Sequence, residues 1–273
     1  MEKNTRDGNF TNGSLKNMTE TWCVFGSHGY LGGRLLEHLE ALGHKVIRGD
    51  RKGKVEPGVD CVVNCQSYGN YYWQENIEEI FKANLFNLTK TLESVHGVRA
   101  FVYISSSSVL LPQQTFYSLA KQAGELACLQ WGGPVKILRP SSITGPGEQP
   151  DHLIPKLIDA CFTRKDMPFI GEPTHDFIDV RDVVSAIEIL AKDGEKLTVN
   201  VSSGISISND GVLAVVEDCT GLCANIKRKK GIMRSYDTPN WKVDNSEMVK
   251  LGWKPKYTLK DSIKEMVMIY DKS

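Results

Sequence analysis

The chain has no excess of charge of either sign: 33 Lys and Arg stand against 33 Asp and Glu over 273 residues. That balance removes the bulk electrostatic case for nucleic acid or an anionic membrane surface. No apolar run approaches the roughly 20 residues of a membrane span. C-x-x-C pairs are also missing. Cys61 and Cys65 are four apart, as are Cys219 and Cys223, without the closer spacing and His partners of a zinc site. Seven free, mostly buried thiols in a cytoplasmic setting, with no metal, are the expectation. Residues 1–20 are polar and lack the apolar core of a signal peptide, so they read as a flexible extension. There is no internal repeat.

What is present is a regular alternation. Thr21–Phe25, "TWCVF", is a short apolar run that Gly26 breaks. Leu31, Leu35, Leu36, Leu39 and Leu42 follow at helical spacing, and Gly43 ends the pattern. Residues 45–47 form the next strand, and 59–65, "VDCVVNC", a buried one of the parallel type. A helix covers 77–94, a strand 100–105, a helix 115–130 and a strand 135–138. Strand, helix, strand, helix predicts an α/β fold: a doubly wound parallel Rossmann sheet. Beyond Arg139 the pattern loosens, with helices over 152–162, Val180–Lys192, 209–219 and Leu259–Tyr270. The expected organisation is a cofactor-binding domain over 21–145 and a smaller substrate-binding lobe over 146–273, some of whose segments return to the sheet.

Gly26, Gly29 and Gly32 lie in "GSHGYLG", directly after the first strand and opening the first helix. Glycines there let the backbone approach a pyrophosphate, and the helix start offers free N–H groups and the positive dipole end. Tyr30 and Leu31 begin that helix. Asp50, 18 residues past Gly32, can accept from ribose hydroxyls and repel a 2′-phosphate, which favours NAD. Arg51 beside it keeps NADP open. As a structural residue, Asp50 is equally good turn chemistry in "GDRKG".

One further stretch, "YSLAK" at 117–121, puts a phenol and an ammonium one turn apart on the same helical face. Alone it is a common surface pattern. Together with "GSHGYLG", Asp50 and "YISSSSV" (103–109), the chain resembles the extended short-chain dehydrogenase/reductase family, and within it the NAD-dependent sugar-nucleotide epimerase/dehydratase group. The resemblance runs from about residue 21 to 270, with further matches at "LRPSSITGPG" (138–147), "HDFIDVRDVV" (175–184), "VNVSSG" (199–204) and "LGWKP" (251–255).

The resemblance implies a catalytic Ser106, Tyr117 and Lys121. Tyr117 is the acid/base, Lys121 lowers its pKa and holds the nicotinamide ribose, and Ser106 bonds the reacting oxygen. Ser106 is chosen because it precedes Val109 by three residues; Ser105, Ser107 and Ser108 flank it. On the cofactor side the resemblance also places Asn64, Cys65, Gln66 and Asn84, with Asn84 otherwise structural. On the substrate side it places Ser142, His175, Arg228 and Lys229. His175 stands where relatives carry an Arg for a diphosphate, and the basic run 227–230 reads equally as a solvated turn. Ser107 and Ser108 stand where dehydratases carry an Asp-Glu pair, which disfavours elimination. Only nine residues separate Asp50 from Asp60, so an edge strand-helix unit is expected to be missing. The implied function is NAD(P)-dependent oxidoreduction or epimerisation at a secondary hydroxyl or ketone of a nucleotide sugar, by a protein that pairs as a homodimer. Two alternatives stay open: a reductase of a non-nucleotide, hydrophobic ketone, and a non-catalytic NAD(P)-binding regulatory protein.

Overall fold

Alternation along the first strand sets the architecture. In a computed structural model, which describes residues 19–272 other than 51, 72, 196 and 231–240, Trp22 and Val24 of β1 (Thr21–Phe25) face one hydrophobic cluster, and Cys23 and Phe25 face another. All four are buried, so helices must cover both faces of the sheet. The extension expected over 1–20 falls almost wholly outside the described residues, as does Arg51.

The sheet is six-stranded and parallel throughout. β1 lies between β2 (Lys45–Arg48) and β3 (Cys61–Asn64); β4 (Ala100–Ile104), β5 (Val135–Pro140) and β9 (Leu197–Val201) follow in order. On one face, α1 (Tyr30–Ala41) and α6 (Val180–Lys192) bring Leu35, Leu39, Val183 and Ile187 onto Trp22, Val63 and Val102, and Trp253 closes the cluster. Burying one such aliphatic side chain contributes about 2 kcal/mol. On the other face, α3 (Asn87–Ser94) and α4 (Phe116–Trp131) place Leu88, Leu92 and Cys128 on Phe25, Phe101 and Tyr103.

β2 is the sheet edge on the Asp50 side. Among the described residues of 51–60 there is neither helix nor strand, as the short turn-rich interval predicts. Helix 77–94 is continuous but changes register. After α2 (Ile77–Phe81) comes a π-helical turn, Lys82–Phe86, before α3. Its Asn84 amide donates to the Ile80 carbonyl at 2.8 Å, taking the place of a ladder N–H, which is one way an α-helix opens into a π turn.

The lobe has its own core. Helices α5 (Leu153–Thr163), α7 (Asn209–Thr220) and α9 (Leu259–Tyr270) pack Leu157, Val216 and Ile263 together. Three short strands, β6 (Ser142–Thr144), β8 (Thr174–Asp179) and β10 (Ser206–Ser208), form a second sheet; β7 (Met167–Phe169) pairs with β11 (Ile226–Arg228) in a third. A short α8 (Ser246–Lys250) adds Met248 to the core of the main sheet. Asp176 joins the lobe to the main sheet. Its buried carboxylate accepts from the Ser203 amide and hydroxyl, the Gly204 amide and the Ser141 hydroxyl at 2.8 to 3.3 Å. Burial raises its pKa, and the bonds from Ser203, from the Val243 amide and from the Gly204 amide oppose the rise.

Candidate active site

The glycine loop is built by contacts that exclude side chains. Gly26 has φ +75°, and a Cβ there would lie 2.8 Å from the Cys65–Gln66 peptide. At Gly32 a Cβ would lie 2.2 Å from the Gly26 oxygen. The loop is thereby pressed onto the carboxyl end of β3, and α1 starts directly above it. Gly29 caps α1 with no side-chain bond, and its first turn carries no acidic residue. Its initial N–H groups therefore face outward with their positive dipole end uncompensated.

Four buried polar atoms around this loop have no protein partner among the described residues: Ser27 Oγ, Tyr30 OH, Asn64 Nδ2 and Gln66 Oε1. Burial, with Glu148 and Asp179 nearby, raises the Tyr30 phenol far above its ordinary pKa, so it is a neutral O–H donor. Unpaired buried polar groups are costly. The Tyr30 hydroxyl lines the cavity beside a bare helix start, which fits the pyrophosphate and a ribose of NAD. Asp50 is exposed and lies at the end of β2. Its Oδ1 accepts from the Lys52 and Lys54 amides at 2.9 and 3.4 Å, so it holds its own turn.

A cavity of about 1080 Å³ opens between the sheet and the lobe. Gly29, Tyr30, Leu31, Gly32 and Cys65 line it, and so do Ser106, Tyr117, Lys121, Ser142 and His175. Gly26, Asn64 and Gln66 stand behind the loop, outside the lining. Asn84 is also outside it: its amide donates to the Tyr68 and Ile80 carbonyls, so its work is to tie Tyr68 to the helix. Arg228 and Lys229 are exposed at the rim. Arg228 pairs with Asp210 at 2.8 Å, and the Lys229 amide donates to the Phe169 carbonyl. Neither lines the cavity; Lys156 and Lys165 do, and sequence reading missed both. No motif marks either one.

Helix α4 carries Tyr117 and Lys121 into this cavity. Thr115 caps it, in reciprocal bonds with Ser118, so it starts immediately before Tyr117. Ser106 and Ser67 are the hydroxyls close enough to act on the Tyr117 phenol, each stabilising its charged form. That proximity favours Ser106 over its neighbours. Ser105 points the other way, donating to Glu125, and the 3₁₀ turn Ser107–Leu110 carries Ser107 and Ser108 onward. Ser67 was not foreseen: only folding brings the loop after β3 to Tyr117.

Burial raises the Tyr117 phenol, and Ser67 and Ser106 act against that rise. Lys121 lies over the Tyr117 ring. Its buried Nζ donates to the Ile104 carbonyl at 2.9 Å and the Gln66 carbonyl at 3.2 Å, and lies 5.9 Å from the Tyr117 ring centre. Burial lowers Lys121 itself to about 8, while Cys65, Cys128 and Glu125 oppose that fall. The cavity thus holds a shielded phenol, two hydroxyls near it and a buried ammonium over its ring, which is equipment for moving a proton at a substrate oxygen.

A parallel, doubly wound sheet with a glycine loop at its first strand and this tyrosine-lysine pair defines a nicotinamide-dinucleotide enzyme fold. Residues 22–202 match the model of the NAD dependent epimerase/dehydratase family, and the chain belongs to that family. It is 26% identical to a GDP-6-deoxy-D-mannose reductase of Pseudomonas aeruginosa over 92% of this chain and 97% of that protein. It is 25% identical to a dTDP-glucose 4,6-dehydratase of Streptomyces griseus over 65% of this chain and 60% of that one. Among solved structures, MoeE5 in complex with UDP-glucuronic acid and NAD superposes with a TM-score of 0.83 at 22% identity, covering 92% of this chain and 99% of that one. RMD from Pseudomonas aeruginosa complexed with NADPH superposes at 0.80 and 22%, covering 93% and 99%.

Proposed function

We propose that the protein oxidises or reduces a secondary hydroxyl or ketone of a nucleotide-activated sugar, directly or as the half-reactions of an epimerisation. The observation that carries this reading is Tyr117, lining with Ser67 and Ser106 the same cavity that the glycine loop enters. The relatives that act on GDP- and dTDP-sugars support the substrate class. NAD, when bound, supplies the hydride acceptor and donor. Gly29, Gly32 and the start of α1 would hold its pyrophosphate, with Tyr30 beside it, and Lys121 its nicotinamide ribose. Tyr117 takes or returns the hydroxyl proton, while Ser106 and Ser67 orient the reacting oxygen. Ser107 and Ser108 line the cavity at the positions where dehydratases carry an Asp-Glu pair, which favours simple redox chemistry over elimination.

Two further assignments accompany this reading. His175 and Ser142 contact the sugar-nucleotide. The protein pairs with a second copy through the exposed apolar side chains Phe116, Leu119, Leu126 and Leu129 on one side of α4, with Phe86 beside them.

The test follows reduced coenzyme at 340 nm for net oxidation, and the sugar product by chromatography for epimerisation, with UDP-glucose, UDP-glucuronic acid, dTDP-glucose and GDP-mannose, each with NAD and NADP. Turnover with one of these, lost in Tyr117→Phe while NAD affinity stays near wild type, is the expected result. Full activity in Tyr117→Phe would remove the tyrosine from the reaction. Turnover only with apolar ketones would move the substrate to the hydrophobic class.

A further inference from the structure

Three residues one turn apart on α4 meet three consecutive residues at the end of β4. Tyr117 lies beside Ser106, Lys121 donates to the Ile104 carbonyl, and Glu125 accepts from the Ser105 hydroxyl. The first two belong to the proposed chemistry; the third faces away from it. Glu125 is almost fully buried, and Arg139 of β5 holds it by two bonds, Nε to Oε1 at 2.8 Å and Nη2 to Oε2. The Ser105 amide in turn donates to the Leu138 carbonyl at 2.8 Å.

We infer that Glu125 is a positioning residue: by gripping Ser105 it sets the height of α4 against β4, and so brings the Tyr117 hydroxyl onto Ser106. A buried carboxylate cannot shift without leaving a charge unpaired, so its geometry is rigid. Ser106 is extended and directly follows Ser105, so anchoring the Ser105 hydroxyl on the inner side fixes where the Ser106 hydroxyl emerges on the other. A plain helix-strand ion pair would need only Arg139. The Ser105 bond connects that pair to the strand end where Tyr117 is met. The inference rests on Tyr117 as the acid/base group, but its test reads the phenol itself.

The experiment uses the full chain with bound NAD and tyrosine labelled with ¹³C at Cζ, the Tyr117 resonance being assigned by Tyr117→Phe. Ser105→Ala, which leaves the Glu125–Arg139 pair intact, should move the Tyr117 resonance and raise its titration. The double change Glu125→Met with Arg139→Met removes both charges, so no ion is left unpaired. It should keep a melting midpoint near wild type yet move the resonance in the same way. Turnover on whichever nucleotide sugar passes the screen should fall roughly tenfold or more with KM unchanged. If both variants leave the Tyr117 resonance and titration at wild-type positions, the ion pair is structural only and the inference is overturned. Loss of activity in neither variant nor in Tyr117→Phe would instead defeat the assignment of Tyr117, a separate result.

Discussion

The Lys121 ammonium donates to the Ile104 carbonyl at 2.9 Å, from a side chain that is almost fully buried. Its charge is held by carbonyl dipoles and faces no carboxylate directly, which is why burial lowers its pKa to about 8.

A pH dependence of stability follows from that depression. Unfolded, Lys121 titrates near 10.5; folded, near 8. Between these values the unfolded chain binds more protons, so this residue's contribution rises with pH through that window. Its cost to folding is full below pH 8 and vanishes above about 10.5, about 3 kcal/mol in all. Wild type minus Lys121→Met stability, from urea unfolding at pH 7, 8, 9 and 10, should climb steadily. A flat difference would mean the ammonium is not desolvated.

Gly32→Ala should cost both folding and coenzyme. The new Cβ would lie 2.2 Å from the Gly26 oxygen, a backbone atom with little room to yield. Overpacking of this kind costs about 1–3 kcal/mol. The loop would lift from β3, and NAD affinity, measured by calorimetry, should fall with it. Gly43→Ala is the contrast: φ is +82° and nothing lies within 4 Å, so only backbone strain is added and NAD binding should not change. Equal NAD loss in both variants would count against the loop assignment.

Asp50→Asn separates the two readings of that residue. Asparagine can still accept from the Lys52 and Lys54 amides, so the turn should survive. Removing the carboxylate should improve NADP binding relative to NAD roughly tenfold, since it relieves like-charge repulsion of a 2′-phosphate. An unchanged ratio would confine Asp50 to its turn.

The apolar side of α4 gives the last expectation. Wild type should sediment as a dimer, and Leu126→Lys with Leu129→Glu should sediment as a monomer with the same fold by circular dichroism. These side chains are about half exposed or more, so the change adds charge without opening a core. A wild-type monomer at micromolar concentration would exclude this pairing.

The alternating strands and helices, the glycine loop and the Tyr117–Lys121 spacing were legible in the sequence, because each depends on local rules. Apolar periods of two and 3.6 mark the elements, glycines mark a turn, and four residues make one turn of helix. The short interval after Asp50 likewise announced a sheet ending at β2. Which serine meets Tyr117, the arrival of Ser67, the Ser105–Glu125–Arg139 linkage and the withdrawal of Asn84, Arg228 and Lys229 from the cavity were decided only by tertiary structure. Each joins residues from separate strands and helices, and where such chains meet is set by how helices pack on the sheet. The acidity of the site is of the same kind. Composition says that a phenol and an ammonium are present; burial and the oxygens that folding sets around them decide how tightly each holds its proton.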